Sequence, residues 1–155
     1  MQRLNFPAFP YSVTHSKTGY KIFDIVRKKY VQLTQEEWVR QHLLHYLISR
    51  LKYPPSLLRL EQSIKYNRMR RRPDIVVYNR ALNPWMLIEC KAANVKVNQK
   101  SWEQIARYNV YFRTQLVAIT NGIQHFCWQL DHDTGNHRRL NQFPHFVTDQ
   151  QSKIV

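Results

Sequence analysis

Hydrophobic residues recur along the chain with two spacings, one typical of helices and the other of strands. The segment 34–53 carries apolar residues at intervals of four, which predicts a helix with one buried face. Its apolar positions are Val39, Leu43, Leu47 and Leu51. Thr34 and Glu37 have the spacing of a capping box at its start. The segment 98–114 predicts a second helix. Its expected core stripe is Trp102, Ile105, Ala106 and Val110.

Shorter apolar runs predict β-strands. They occupy residues 57–66, 74–78, 85–91, 115–120 and 123–130, with one or two further short strands in 20–33. The turn-like residues 79–84 join the strands 74–78 and 85–91 into a hairpin, and Asn121-Gly122 is a strong hairpin signal before the last run. The order of helices and strands predicts an α/β domain with a mixed sheet.

The ends of the chain differ in composition from its middle. We expect residues 1–18 to form an N-terminal arm, 19–130 a single domain, and 131–155 a polar basic tail. The start lacks the apolar core of a signal peptide, and no apolar run approaches the roughly 20 residues of a membrane helix. Cys90 and Cys127 lie in apolar runs, which favours buried free thiols over a disulfide. These features predict a cytoplasmic protein.

The net charge of the chain indicates which kinds of partner it binds. Lys and Arg total 24 against 10 for Asp and Glu, so the formal net charge is +14. Such an excess points to a polyanion, most often nucleic acid. A membrane surface is the weaker alternative, because no basic amphipathic helix stands out.

Two neighbouring strands carry acidic residues at their ends. Side chains alternate along a strand, so Glu89 and Lys91 share one face of 85–91. Pairing in the hairpin brings Asp74, at the start of the other strand, close to both. Two carboxylates beside a lysine suit Mg²⁺ and the cleavage of a phosphodiester. The alternative is a solvated Glu–Lys pair at a sheet edge, which is common at this spacing.

The order of these residues resembles that of a known nuclease family. Pro73-Asp74, then Glu-Cys-Lys at 89–91, is similar to the PD-(D/E)xK motif, and Gln-Ile-Ala-Arg-Tyr at 104–108 is similar to the QxxxY motif of its RecB-like branch. Within this superfamily, residues 20–128 most resemble the N-terminal nuclease domain of type I restriction enzyme R subunits, and the short stand-alone bacterial proteins built on it. The resemblance implies a restriction-endonuclease-like core, a mixed β-sheet flanked by helices.

The resemblance also implies roles for individual residues. Asp74 and Glu89 would bind Mg²⁺, with the Cys90 carbonyl as a further ligand, and Lys91 would be the catalytic lysine. Gln104 and Tyr108, one helical turn apart, would face the active site and the DNA backbone. The alternative for these last two is an ordinary pair on a helix face.

Two further groups of residues have open interpretations. Glu37 is either an additional acidic residue of the site or only the partner of Thr34 in a capping box. Four arginines precede Asp74 and would either grip DNA phosphates or form a solvated turn. They are Arg68, Arg70, Arg71 and Arg72.

These observations predict a magnesium-dependent DNA nuclease, most simply an endonuclease. The alternative is a DNA-binding module or accessory subunit that has the fold but does not cleave, and RNA as the substrate also stays open. The sequence has no P-loop motif, so the ATP-driven motor of type I R subunits cannot be carried over. Activity would belong to the nuclease core alone, as a homodimer, or with a partner subunit.

Overall fold

The computed structural model describes residues 1–62 and 72–146, which form two β-sheets and two α-helices. A three-stranded sheet contains β1 (Val13–Ser16), β2 (Gly19–Asp24) and β3 (Lys29–Gln32). A six-stranded sheet contains β4 (Leu58–Leu60), β5 (Ile75–Tyr78), β6 (Pro84–Cys90), β7 (Leu116–Thr120), β8 (His125–Leu130) and β9 (His137–Leu140). The helices are α1 (Gln35–Ser49) and α2 (Gln99–Phe112), and Pro55–Leu57 forms a short 3₁₀ turn.

The six strands lie in sequence order from β4 to β9. All neighbours are antiparallel except β6 and β7, which are parallel because α2 crosses over between them. β5 pairs with β6 in the register Ile75 to Ile88, so the predicted hairpin is confirmed. The mixed α/β fold predicted from the sequence is therefore confirmed in the part of the chain that the structure describes.

Each helix packs on one face of this sheet. Side chains of β6 alternate between the faces: Met86 and Ile88 join the core with Leu43 of α1, whereas Leu87 joins Ile105 of α2. All five are fully buried. The strand is apolar on both faces because both are covered, as expected of a central strand between helical layers. Glu89 shares the α2 face with Leu87.

The predicted stripe is confirmed for Val39, Leu43 and Leu47 of α1, and Leu51, which follows the helix, is also buried. The helix ends at Ser49 rather than at residue 53. In α2 the predicted stripe is wrong at Val110, which is 80% exposed. Val110 lies five residues after Ile105, which places it about 140° around the helix. The buried face runs instead through Ile105, Tyr108 and Phe112, at helical spacing.

Both ends of the described chain contribute more structure than expected. The segment 1–18 contains β1, and Leu4 is buried in the main core. A Cβ added at Gly122, whose φ is +83°, would meet Leu4 at 2.8 Å, so the chain start packs closely over the β7–β8 turn. The segment expected to be a tail adds β9 and the buried Phe143.

The predicted strand 57–66 is found as Leu58–Leu60, and residues 63–66 lie outside the described part of the chain. Both cysteines are buried free thiols, as predicted. Within residues 1–62 and 72–146, neither helix has the length and hydrophobicity to cross a membrane.

Candidate active site

The ends of β5 and β6 bring the predicted carboxylates together. The β5–β6 register pairs Ile75 with Ile88. Carried one residue further, the same register sets Asp74, which directly precedes β5, opposite Glu89 at this end of the sheet. Side chains directly opposite on antiparallel strands have Cβ atoms about 5 Å apart. Both residues are 5% exposed, so neither is a solvated group at a sheet edge.

Within the described residues, hydrogen-bond donors contact one of the two carboxylate oxygens of Glu89. Its Oε1 accepts hydrogen bonds from Lys91 Nζ at 3.2 Å and from Gln104 Nε2 at 3.0 Å. Its Oε2 is buried and has no hydrogen-bond partner among the described residues. Burial, and then the charge of Asp74, raise the pKa of Glu89 to about 8, although Lys91 acts in the opposite direction. The buried, unpartnered oxygen is the kind of atom that a cation or a proton would satisfy.

Helix α2 supplies the other half of this cluster. Its start is fixed by Asn98, whose side chain accepts from the backbone N–H groups of Lys100 and Ser101. One turn later, Gln104 Oε1 accepts from Lys91 Nζ at 2.9 Å, and Gln104 Nε2 lies 3.4 Å from the Tyr108 hydroxyl. Gln104 therefore contacts both Glu89 and Lys91, and the Tyr108 hydroxyl lies beside Gln104.

Asp74 is held by two donors of different kinds. Its Oδ2 accepts from the backbone N–H of Cys90 at 2.7 Å, and its Oδ1 from Arg40 Nη2 of α1 at 2.5 Å. The Cys90 side chain itself points to the opposite, α1 side of the sheet, where burial raises the pKa of its thiol. Of Cys90, only the main chain can therefore serve the site.

Arg40 is 4% exposed and bridges two carboxylates, since its Nη1 donates to Glu37 Oε2 at 2.9 Å. Burial opposes the charged form, but Asp74 and Glu37 more than offset this effect and raise the pKa of the guanidinium. Neither the apolar stripe of α1 nor its capping residues indicate a role for Arg40 in the site. The available signal was its spacing of three and four residues from Glu37 and Glu36.

Glu37 agrees with each of its two interpretations only in part. Its backbone N–H donates to Thr34 Oγ1 at 3.0 Å, so the helix cap is present. Its carboxylate does not complete a capping box but accepts from Arg27, Arg40 and Gln41. The guanidinium of Arg40 therefore links the carboxylate of Glu37 to that of Asp74.

The neighbouring Glu36 is also linked electrostatically to the site. Burial, and then the charge of Asp74, raise its pKa, whereas Arg40 and Lys91 lower it. Its side chain is 45% exposed and lies 3.7 Å from Arg40 Nη2. Glu36 therefore adds a third carboxylate at the open side of the cluster, which the sequence analysis had not identified.

The predicted arginine cluster falls in part within the described residues. Arg68, Arg70 and Arg71 lie outside the described residues. Arg72 is exposed and stands two residues before Asp74. Its position puts one cation close to the carboxylates along the chain.

The carboxylate oxygens of Asp74 and Glu89 fit a hard cation whose remaining ligands are water or substrate. Among the described residues, no group of three or more His, Cys, Asp or Glu side chains is arranged to hold a metal ion. Mg²⁺, however, commonly takes only one or two carboxylates and completes its shell with water and substrate phosphate. The unpartnered Glu89 Oε2 offers one oxygen, and Asp74 has lone pairs beyond those already used.

Comparisons with known proteins give a match to one family. Residues 35–144 match the family model for the type I restriction enzyme R protein N terminus (HSDR_N). None of the curated proteins compared with the chain matches it. Among solved structures, the chain is similar to a fragment described as an HsdR subunit of a type I restriction enzyme from Vibrio vulnificus YJ016. That similarity has 23% identity and a TM-score of 0.49, and covers 72% of this chain but 24% of the other.

Proposed function

The chain belongs to the family of the type I restriction enzyme R protein N terminus, and we propose that it is a magnesium-dependent DNA nuclease of the PD-(D/E)xK class. The observation that carries this proposal is the cluster around Glu89. A buried carboxylate with one unpartnered oxygen faces Asp74, and Lys91 and Gln104 hold its other oxygen. Such a cluster is costly to bury and has no evident structural purpose.

Asp74 and Glu89 would hold the ion, with the Cys90 backbone carbonyl as the further ligand that the resemblance implies. Bound there, Mg²⁺ would make a coordinated water more acidic and neutralise charge on the phosphate. Arg40 and the Cys90 N–H fix the orientation of Asp74. Gln104 ties Glu89 to Lys91, so the three side chains keep one mutual geometry.

Lys91 is the proposed catalytic lysine. Its ammonium lies 3.2 Å from Glu89 Oε1 and is partly open to solvent, so it can hold a water or stabilise an anion that develops beside the carboxylate. The exposed Arg72, with the proposed phosphate-binding Arg68, Arg70 and Arg71, would draw the DNA backbone toward this site. A net charge of +14 favours such a substrate.

One observation favours the second candidate, a DNA-binding module or accessory subunit that does not cleave. Arg40 already pairs with Asp74 Oδ1, so the carboxylate is neutralised without a metal. A partner subunit or a second copy of the chain would then supply the activity. The chain spans about a quarter of the length of the Vibrio fragment. An assembly with other subunits is a further proposal.

Cleavage of supercoiled plasmid, with Mg²⁺ or with EDTA, separates the two candidates. We expect nicking only with the metal, and its loss in both Asp74→Ala and Lys91→Ala. Glu103→Gln, which changes an exposed carboxylate of α2, is the matched control and should cleave normally. Binding by the wild type without cleavage under Mg²⁺ or Mn²⁺ would eliminate the enzyme and leave the binding module.

A further inference from the structure

A cleft with aromatic walls lies beside the proposed active site and has no role in the mechanism above. It has a volume of about 320 Å³, close to the lower end of the range typical of small-molecule sites. The start of α2 forms one side of it, and β8 and β9 form the other. The aromatic residues on its walls are Trp102, Phe126, Trp128 and His137.

The cleft and the candidate active site share one face of the sheet. Glu89 on β6 pairs with Ile119 on β7, and Ile119 pairs with Phe126 on β8. Residues paired directly across strands point to the same side. Phe126 is therefore two strands from Glu89, roughly 10 Å at the usual strand spacing. One nucleic-acid strand could contact both places.

The rings form a platform rather than a closed core. Phe126 and Trp128 are stacked, with planes 11° apart and centroids at 5.9 Å, and Trp102 contacts Trp128 at 4.6 Å. All three are only partly buried. Arg139 lies over the Phe126 ring with its Cζ 4.8 Å from the centroid. Flat π faces beside a cation are the combination that binds bases of single-stranded nucleic acid.

The charge around the cleft favours nucleic acid over a protein segment as its ligand. None of the described residues that line the cleft is acidic, and Arg139, which shares a face of β9 with His137, lies over the Phe126 ring. An apolar protein segment would satisfy the rings but would leave Arg139 without an anionic counterpart. A DNA strand supplies both planar bases and phosphates, and it matches the net charge of +14.

We propose that this cleft binds an unpaired base of single-stranded DNA next to the Asp74–Glu89 centre. The inference rests on the proposed function only in taking DNA as the substrate, and it makes a strand with unpaired bases the preferred form. The base would stack against Phe126 and Trp128. Arg139 would contact the adjacent backbone.

Tryptophan fluorescence tests this directly. Trp38 and Trp85 are 9% and 8% exposed, so quenching by a bound base would come mainly from Trp102 and Trp128. The full chain is titrated in EDTA with oligo-dT, with an abasic oligonucleotide of equal length, and with a blunt duplex. We expect oligo-dT to quench emission and to bind more tightly than the abasic strand, by between about 5-fold and about 150-fold for one stacked base.

Variants separate stacking from folding. Phe126→Leu and Trp128→Leu should reduce the preference for oligo-dT over the abasic strand, and Trp128→Phe should restore most of it. Tyr20→Leu, at a 60% exposed aromatic of the other sheet, is the matched control and should retain the preference. Thermal unfolding of each variant identifies any that is misfolded. If a leucine variant is misfolded, the binding preference of Trp128→Phe is compared with that of the wild type instead.

Different binding results would overturn the base-binding cleft and the proposed function. Equal binding of oligo-dT and abasic strand, with no quenching, would overturn the base-binding cleft but leave DNA binding intact. Such a result would also be expected if the platform instead docks a protein. Absence of binding to all three nucleic acids would overturn the proposed function and this inference together.

Discussion

Replacement of Glu89 by glutamine is expected to stabilise the metal-free protein, and increasingly so as the pH rises. The pKa of Glu89 is about 8 in the folded protein, against 4.5 for the same group in its ordinary state. Between these values the folded chain keeps a proton that the unfolded chain releases. The free energy of unfolding must therefore fall with rising pH across this window.

The magnitude follows from the shift. Each unit of pKa difference corresponds to about 1.4 kcal/mol, so Glu89 should cost the wild type up to about 3 kcal/mol between pH 5 and pH 8. Glu89 is 5% exposed, so screening by solvent reduces this little. The glutamine side chain has the shape of the protonated acid and does not titrate. The variant and the wild type should therefore be similar at pH 5, with the variant more stable by about 1–3 kcal/mol at pH 8.

Urea unfolding between pH 5 and pH 8 in EDTA measures this difference. Glu103→Gln, at an exposed site on α2, is the control and should follow the wild type at every pH. In the same assay at pH 8, Mg²⁺ should stabilise the wild type and have much less effect on Glu89→Gln, since binding to the folded state alone raises its stability. Parallel pH profiles for the variant and the wild type would refute the reasoning.

Three further predictions concern packing and charge. Arg40→Met should destabilise the protein by about 3–5 kcal/mol in urea unfolding, because it removes the guanidinium that pairs with the buried Asp74 and leaves Glu37 paired with Arg27; a loss below about 1 kcal/mol would contradict the buried network. Leu47→Ala, at a fully buried position of α1, should cost about 2–5 kcal/mol in the same assay, and a negligible cost would place α1 off the sheet. Reversal of Arg70, Arg71 and Arg72 to Glu should weaken binding of all DNA sequences about equally and reduce its salt dependence in fluorescence anisotropy. Strong sequence preference, or binding that is insensitive to salt, would count against phosphate contacts there.

Local patterns in the sequence were sufficient for the elements that hold the site. Apolar runs around a turn-like segment predicted the hairpin 74–78 and 85–91, and its antiparallel pairing follows from the short connection. That pairing alone brings Asp74 to Glu89. The spacing of Gln104 and Tyr108 on a helix was likewise enough to set them on one face, although only packing decided that this face meets Lys91.

Tertiary structure decided which charged groups of α1 enter the cluster. Glu36, Glu37 and Arg40 all lie within about one turn of that helix, and their roles depend on its rotation against the sheet. Arg40 meets Asp74 across 34 residues of sequence, a contact that no local pattern encodes. The exposure of Val110 and the presence of β9 were likewise not predictable from local sequence patterns. Local periodicity fixes which residues can share a face, but long-range packing selects the face that is buried and the partner that each buried charge receives.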